Sequence, residues 1–298
     1  MSFTKLRRKS NSKLKDGNFQ GIDIGTKFIN LAFNVQTMKK NLLFIIAMII
    51  TFSAHSQILK KQIPDKLVVM SFDAPASQYS VVAPLLKKYG FDAIFFICEF
   101  PPNFKDSSKY MNWWQIKALN DMGFEIANHT HTHAHIGHLS KEKLLEQLQY
   151  IEHKCDLMGI TKPTDFAYPG YDLSPKAVQI IEDDGYEFSR AGDSRVYDPL
   201  HDSPMLVPSW AMTDKNRDEI RSAFQEAKDG KIVVITIHGV PDIEHPWVTT
   251  SPELFEEHLK YLVDHHCKVI SFRDLKQYVD VQEALKEITP DFDKPLKN

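Results

Sequence analysis

Phe124-Glu125-Ile126-Ala127-Asn128-His129-Thr130-His131-Thr132-His133 is the stretch on which the reading of this chain turns. Phe124–Ala127 has the composition of a short buried strand, and it delivers three histidines at alternate positions. Imidazole is the commonest protein ligand for zinc and related divalent ions. A continued strand would put 129, 131 and 133 on one face, whereas one helical turn would bring 129 and 133 together. Both geometries present two imidazoles to one ion. On spacing alone, a His-rich surface loop explains the segment equally well.

Working outward, strand and helix signals alternate from about residue 64. Leu67–Phe72 and Ala93–Cys98 are apolar strands, and Val81–Gly90 has helical spacing with a glycine stop. A helix from Trp114 ends at Gly123, and Ser140 caps a long helix reaching Met158. Strand Phe166–Tyr168, helix Ser174–Asp184 and strand Tyr186–Arg190 follow. Then come helix Asp218–Lys228, strand Ile232–Ile237, helix Pro252–Val263, strand Val269–Phe272 and a short helix Arg273–Val279. Repeated β-α units predict a mostly parallel sheet with helices outside, doubly wound or closed as a barrel. In a barrel the chemistry sits at the C-terminal strand ends. Asp73, His129, Pro169-Gly170, Arg190 and His238 all fall at such ends, a coincidence that packing does not explain.

The chain has 298 residues and a formal net charge of −3, so no basic field points to nucleic acid. Its three cysteines, Cys98, Cys155 and Cys267, form no CxxC and read as buried free thiols, with no pair singled out for a disulfide. Met38-Lys-Lys-Asn, the apolar run from Leu42 to Ile50 and Ala54-His-Ser56 have the layout of a secretory signal peptide over 38–56, with Gln57 as the mature start. The run is short for a membrane span, so no stable span is expected after cleavage and the protein is expected to be secreted or periplasmic; an uncleaved anchor is the alternative. Residues 1–37 then read as an upstream extension outside the native protein, 64–280 as a single domain, and 281–298 as a polar tail that frays from Glu283.

Ser71-Phe72-Asp73-Ala74-Pro75, His129-Thr130-His131-Thr132-His133, Ala167-Tyr168-Pro169-Gly170 and Val234-Ile-Thr-Ile-His238, in that order, resemble the motifs of the polysaccharide deacetylases that share the NodB homology domain, carbohydrate esterase family 4. Val269-Ile-Ser-Phe-Arg-Asp-Leu275 fits the same resemblance, which covers roughly residues 64–280. It implies an α/β fold, a distorted (β/α) barrel, binding one divalent ion, usually zinc, and removing acetyl groups from a polysaccharide or oligosaccharide. His129 and His133 carry over as metal ligands and Asp73 as the general base. The family's second aspartate, a metal ligand, falls on Ala74, which has no donor; a one-residue deletion in Phe-Asp-Asp-Ala-Pro accounts for it. His131, His135, His138 or a water are the possible substitutes. The family's arginine falls on Ala167, with Arg190 on the next strand as its replacement.

The chemistry so implied is water attack on an amide or ester carbonyl. A cation would polarise the carbonyl and acidify water, Asp73 would take the proton, the Gly170 N–H would hold the oxyanion, and His238 would donate to the leaving group. Tyr168 and Tyr171, and less directly Trp113, Trp114 and Trp210, are candidates to stack on sugar rings. Asp242 and His245 would shape the cleft or supply a replacement ligand. Two other readings stay open: a carbohydrate-binding relative disabled at Ala74, and a hydrolase of small amides on the same barrel.

Overall fold

In the computed structural model, residues 58–99 and 103–294 are described. The expected upstream extension, signal peptide and mature start at Gln57 lie outside them. Eight strands form where β-branched and aromatic residues cluster: β1 (Leu67–Phe72), β2 (Ile94–Ile97), β3 (Glu125–Asn128), β4 (Asp165–Ala167), β5 (Phe188–Asp193), β6 (Val207–Ala211), β7 (Val233–Ile237) and β8 (Lys268–Ile270). Around them run α1 (Ala83–Tyr89), α2 (Trp113–Asp121), α3 (Lys141–Leu157), α4 (Pro175–Asp183), α5 (Arg217–Phe224), α6 (Pro252–Asp264), α7 (Phe272–Leu275) and α8 (Val281–Glu287). Among the described residues no helix is long and apolar enough to cross a membrane.

All strand pairings are parallel, and the order β2-β3-β4-β5-β6-β7-β1 is closed by β1 on β2. Seven strands therefore make the barrel expected from the β-α alternation. The distortion has a local origin. β1 pairs with β8 through Leu67, Val68 and Val69, but with β2 only through Ser71 and Phe72. β8 thus wedges the barrel wall open at its lower end.

Side chains alternate across a strand, and that parity sorts the core. Val68, Met70, Phe72, Phe95, Phe124, Ile126 and Ile235 pack outward against helices, with Phe72 stacked on Phe95 at 5.1 Å. Leu67, Val69, Ile94, Phe96, Ala127, Ala167, Phe188 and Val234 point into the barrel. Phe272 at the start of α7 plugs the bottom, 5.3 Å from Phe188 and 6.2 Å from Phe96. Each fully buried Phe contributes ~1.5–3 kcal/mol of transfer free energy. Above this apolar plug the inward positions turn polar: Ser71 and then Asp73, Arg190, His129.

Two sequence expectations are corrected. β6 was not foreseen, because Pro208 inside Val207–Ala211 reads as a strand breaker; the strand pairs with β7 only through Trp210 and Ala211 and so spares that position. The tail does not fray at Glu283. Asp280 caps α8 by accepting from the Glu283 N–H, Val281 and Ala284 are buried, and Leu59 bridges to Val279. Apolar residues three apart give this short helix a buried face that its polar composition hides. Cys98, Cys155 and Cys267 are free thiols, the last half-buried.

Candidate active site

Strand parity alone assembles the site. Asp73 continues the inward series of β1, His129 that of β3, and His238 that of β7, while Arg190 is an inward residue of β5. They meet at the C-terminal mouth in a cavity of about 180 Å³, lined also by Pro75, His133, Gly170, Tyr171, Asp242, His245, Trp247 and Val248.

Arg190 is the residue most deeply committed. It is buried over the Phe96 ring, 4.8 Å from its centroid, and donates to Ser71 Oγ at 3.1 Å and to Asp73 Oδ1 at 2.8 Å. The guanidinium missing at Ala167 is thus delivered from the adjacent strand, where Ala167 pairs with Arg190. His238 Nε2 lies 3.5 Å from the other Asp73 oxygen. Burial opposes charge on Asp73, but Arg190, with His129 and His238, outweighs it and holds the carboxyl well below its ordinary value. Burial lowers the His238 ring below its usual value, and its Nδ1 has no partner.

His129 accepts no hydrogen bond at Nε2, while its Nδ1 sits 2.8 Å from the Ala167 carbonyl. That contact fixes Nδ1–H as the donor and leaves the buried Nε2 lone pair facing the cleft, the tautomer of a metal-ligating histidine. His133, in a left-handed backbone conformation, brings its ring centroid 4.8 Å from that of His129. Desolvation pushes the two rings down to about 3 and about 4, so both are neutral near pH 7. His131 is turned elsewhere, stacked on Tyr150 at 3.5 Å and facing Glu99. His135 stands against Gly170, and His138 does not line the cavity.

These residues do not complete the ion site that the motifs imply. A catalytic zinc keeps three protein ligands. Among the described residues no three His, Cys, Asp or Glu side chains stand where they could share an ion. Ala74 offers no donor, and both Asp73 oxygens face Arg190 and His238. The expectation that His131, His135 or His138 replaces the lost ligand is corrected by the same geometry.

Gly170 has φ +56°, and a Cβ there would come within 3.1 Å of His135 Nε2, so the turn after β4 admits only glycine without strain. Tyr171 lines the cavity. Tyr168 does not: its outward parity buries it, with its hydroxyl donating to the Met205 carbonyl at 2.9 Å. Trp210 is likewise in the outer core, and Trp113 donates to Glu99 from the base of α2. Stacking on sugar by Tyr168 and Trp210 is therefore corrected. Trp247 and Trp114 are the exposed tryptophans, 63% and 77% accessible. Trp247 and Val248 were not singled out as cleft residues; the sole signal was their place after the strand that ends in His238.

The polysaccharide deacetylase family profile matches residues 60–189. No curated protein matches the chain. Among solved structures, the carbohydrate esterase family 4 domain of a multidomain xylanase from the hindgut metagenome of Trinervitermes trinervoides superposes with TM-score 0.52 at 18% identity, covering 71% of this chain and 90% of that one. A family 4 carbohydrate esterase from Bacillus anthracis gives 0.51 at 16% identity, with 72% and 84% covered. A family 4 pseudoenzyme from Bacillus anthracis gives 0.50 at 18% identity, covering 71% of this chain, which spans 65% of its length. At these identities the likeness is one of fold. The closed seven-strand barrel, the motif order along it and the matched profile lead to one conclusion: over residues 60–189 this chain matches the polysaccharide deacetylase family, and it shares the barrel fold of the family 4 carbohydrate esterases.

Proposed function

We propose that this chain hydrolyses acetyl groups from an acetylated carbohydrate, with Asp73 as the base. The observation that carries this reading is the buried Asp73–Arg190 pair, 2.8 Å long and set beside His238 at the barrel mouth. A paired carboxylate buried with two unpartnered polar atoms nearby, His129 Nε2 and Arg190 Nε, is costly to the fold and typical of a ligand-facing site. Arg190 fixes the Asp73 carboxylate, which takes a proton from water attacking the acetyl carbonyl. The Gly170 N–H receives the developing oxyanion, a donor worth ~2.7–4 kcal/mol in comparable sites. Tyr171 and the exposed Trp247 offer ring faces to a pyranose.

His129 and His133 supply two ligands for a divalent ion and Ala74 withholds the third, so the chemistry assigned to this cleft rests on side chains and backbone. The test is acetate release from acetylated chito- and xylo-oligosaccharides by the protein and by Asp73→Asn. Release that survives Asp73→Asn overturns the assignment. Ala74 favours a second reading, recognition of glycan without hydrolysis; saturable binding by isothermal calorimetry with no acetate release would establish it. The basic-apolar-small pattern of residues 38–56 supports export, which N-terminal sequencing of protein recovered outside the cytoplasm tests.

A further inference from the structure

We propose that Gln78 is a positioning residue of this cleft: its buried carboxamide, reaching across from the turn after Asp73, holds the backbone of His238 and so sets the His238 ring against Asp73. The inference rests on the acetyl-hydrolase reading above. Gln78 does not line the cavity, so it acts through His238 and not on the substrate.

His238 needs such a hold. The ladder between β1 and β7 stops where the Asp73 N–H donates to the Ile237 carbonyl at 3.1 Å. His238 is the next residue, and Gly239 behind it is the residue type that stiffens a backbone least. Two successive side chains of the Asp73 turn take over where the ladder ends. Gln78 Nε2 donates to the His238 carbonyl at 2.6 Å and lies 3.5 Å from that of Ile237. The Val240 N–H donates to Ser77 Oγ at 2.9 Å. The backbone on both sides of Gly239 is thus fixed by the turn that carries Asp73, and the two side chains face each other at 3.5 Å.

Two further features separate Gln78 from a residue that only fills space. It opens a π-helical turn, Gln78–Val82, in which the Ala83 N–H reaches back five residues to the Gln78 carbonyl. Turns of this kind are rare and concentrate at functional sites. Its side chain is also 0% exposed, yet Oε1 has no partner among the described residues. Turning the amide over would bring that oxygen to 2.6 Å from a carbonyl, so the orientation is fixed. A buried oxygen left unpaired is a cost that calls for a reason, and a methionine would fill the same volume without it. What the carboxamide alone supplies is the donor to His238.

The experiment is a double-mutant cycle read by acetate release from an acetylated xylo-oligosaccharide. Gln78→Met keeps the volume and removes the donor. It is expected to lower kcat by ~10²-fold, the loss that a misplacement of about 1 Å can bring, with KM unchanged because the cavity lining is intact. In the His238→Ala background the same substitution should cost nothing more, since no ring remains to be positioned. An undiminished loss in that background, a rise in KM in place of the fall in kcat, or a His238→Ala protein as fast as the wild type overturns the role of Gln78 and leaves the acetyl-hydrolase reading standing. Wild-type protein that releases no acetate overturns that reading instead. The placement of His238 is then read from the carbon NMR signals of its ring: displacement in Gln78→Met supports the proposal, and unmoved signals overturn it. Should Gln78→Met fail to fold, Gln78→Glu, of the same shape and with no donor once ionised, takes its place in both measurements.

Discussion

Arg190→Met isolates what the buried ion pair contributes. Methionine keeps an apolar stem over Phe96 and removes the charge, leaving the buried Asp73 carboxylate beside His238 without its 2.8 Å partner. Breaking a buried pair from one side costs ~3–5 kcal/mol, a large part of the ~5–15 kcal/mol that typically holds a domain together. The pH dependence follows from the sign of the shift. In the wild type the Asp73 carboxyl is held below its unfolded value of ~3.9, so its contribution is fully present above that pH and is lost only as pH falls through the lower folded value. In the variant burial is the dominant influence, the folded value rises above the unfolded one, and stability drains as pH climbs. The deficit should be smallest near pH ~4 and grow by at most ~1.4 kcal/mol per pH unit towards neutrality. Urea unfolding at pH 4.5, 6 and 7.5, with Asp73→Asn/Arg190→Met as the double variant, measures this. A deficit under ~1 kcal/mol at pH 7.5, or one that does not change with pH, would refute the reasoning.

An Asp inserted between Asp73 and Ala74 should raise zinc affinity by more than ~100-fold, beyond what even good outer-sphere contacts deliver, and raise acetate release with it; competition with a chelating dye reads the affinity. Gly170→Ala should cost ~1–2 kcal/mol for its left-handed backbone plus a further increment for displacing His135, whereas Gly159→Ala, at φ +63° with open space around it, carries only the first; urea midpoints separate the two. Glu125 accepts from the Arg273 N–H at 2.7 Å at the barrel bottom, and burial together with the neighbouring Asp165 carboxyl raises its own carboxyl well above the usual range. Its stabilising influence is therefore complete below its unfolded value of ~4.3 and lost as pH rises through the folded value. Glu125→Gln should then gain on the wild type between pH 4.5 and 8 in urea midpoint, and a constant difference would count against the raised Glu125 carboxyl.

How much of this was legible depends on parity. Asp73, His129 and His238 are found by asking which polar residues end apolar strands, because strand ends at the barrel mouth have nowhere else to point. The same counting, carried one residue further along β4, places Tyr168 on an outward position, so its burial was available from the pattern. β6 was hidden by Pro208, and only the pairing register shows why a proline is tolerated there. The Arg190–Asp73 contact needed the β4–β5 register, which no spacing supplies. The failure of His131 to join the other histidines depends on Tyr150 and Glu99, both distant in sequence. Ala74, by contrast, spoke directly: a side chain without a donor cannot ligate in any fold.

The wedge of β8 has a consequence for how the chain is made. β1 gains most of its partners from the far end of the sequence: Ser71 bonds to the Ile235 carbonyl 164 residues later, and Leu67–Val69 pair with β8 later still. Leu67–Phe72 is an uninterrupted apolar, β-prone hexapeptide, so until those partners emerge from the ribosome it is an open sheet edge in search of any other. Long-range closure of this kind is slow. The nascent chain is thus most vulnerable to association in its first half, and a partner that shields this hexapeptide should improve the yield of folded protein more than one that shields any later strand.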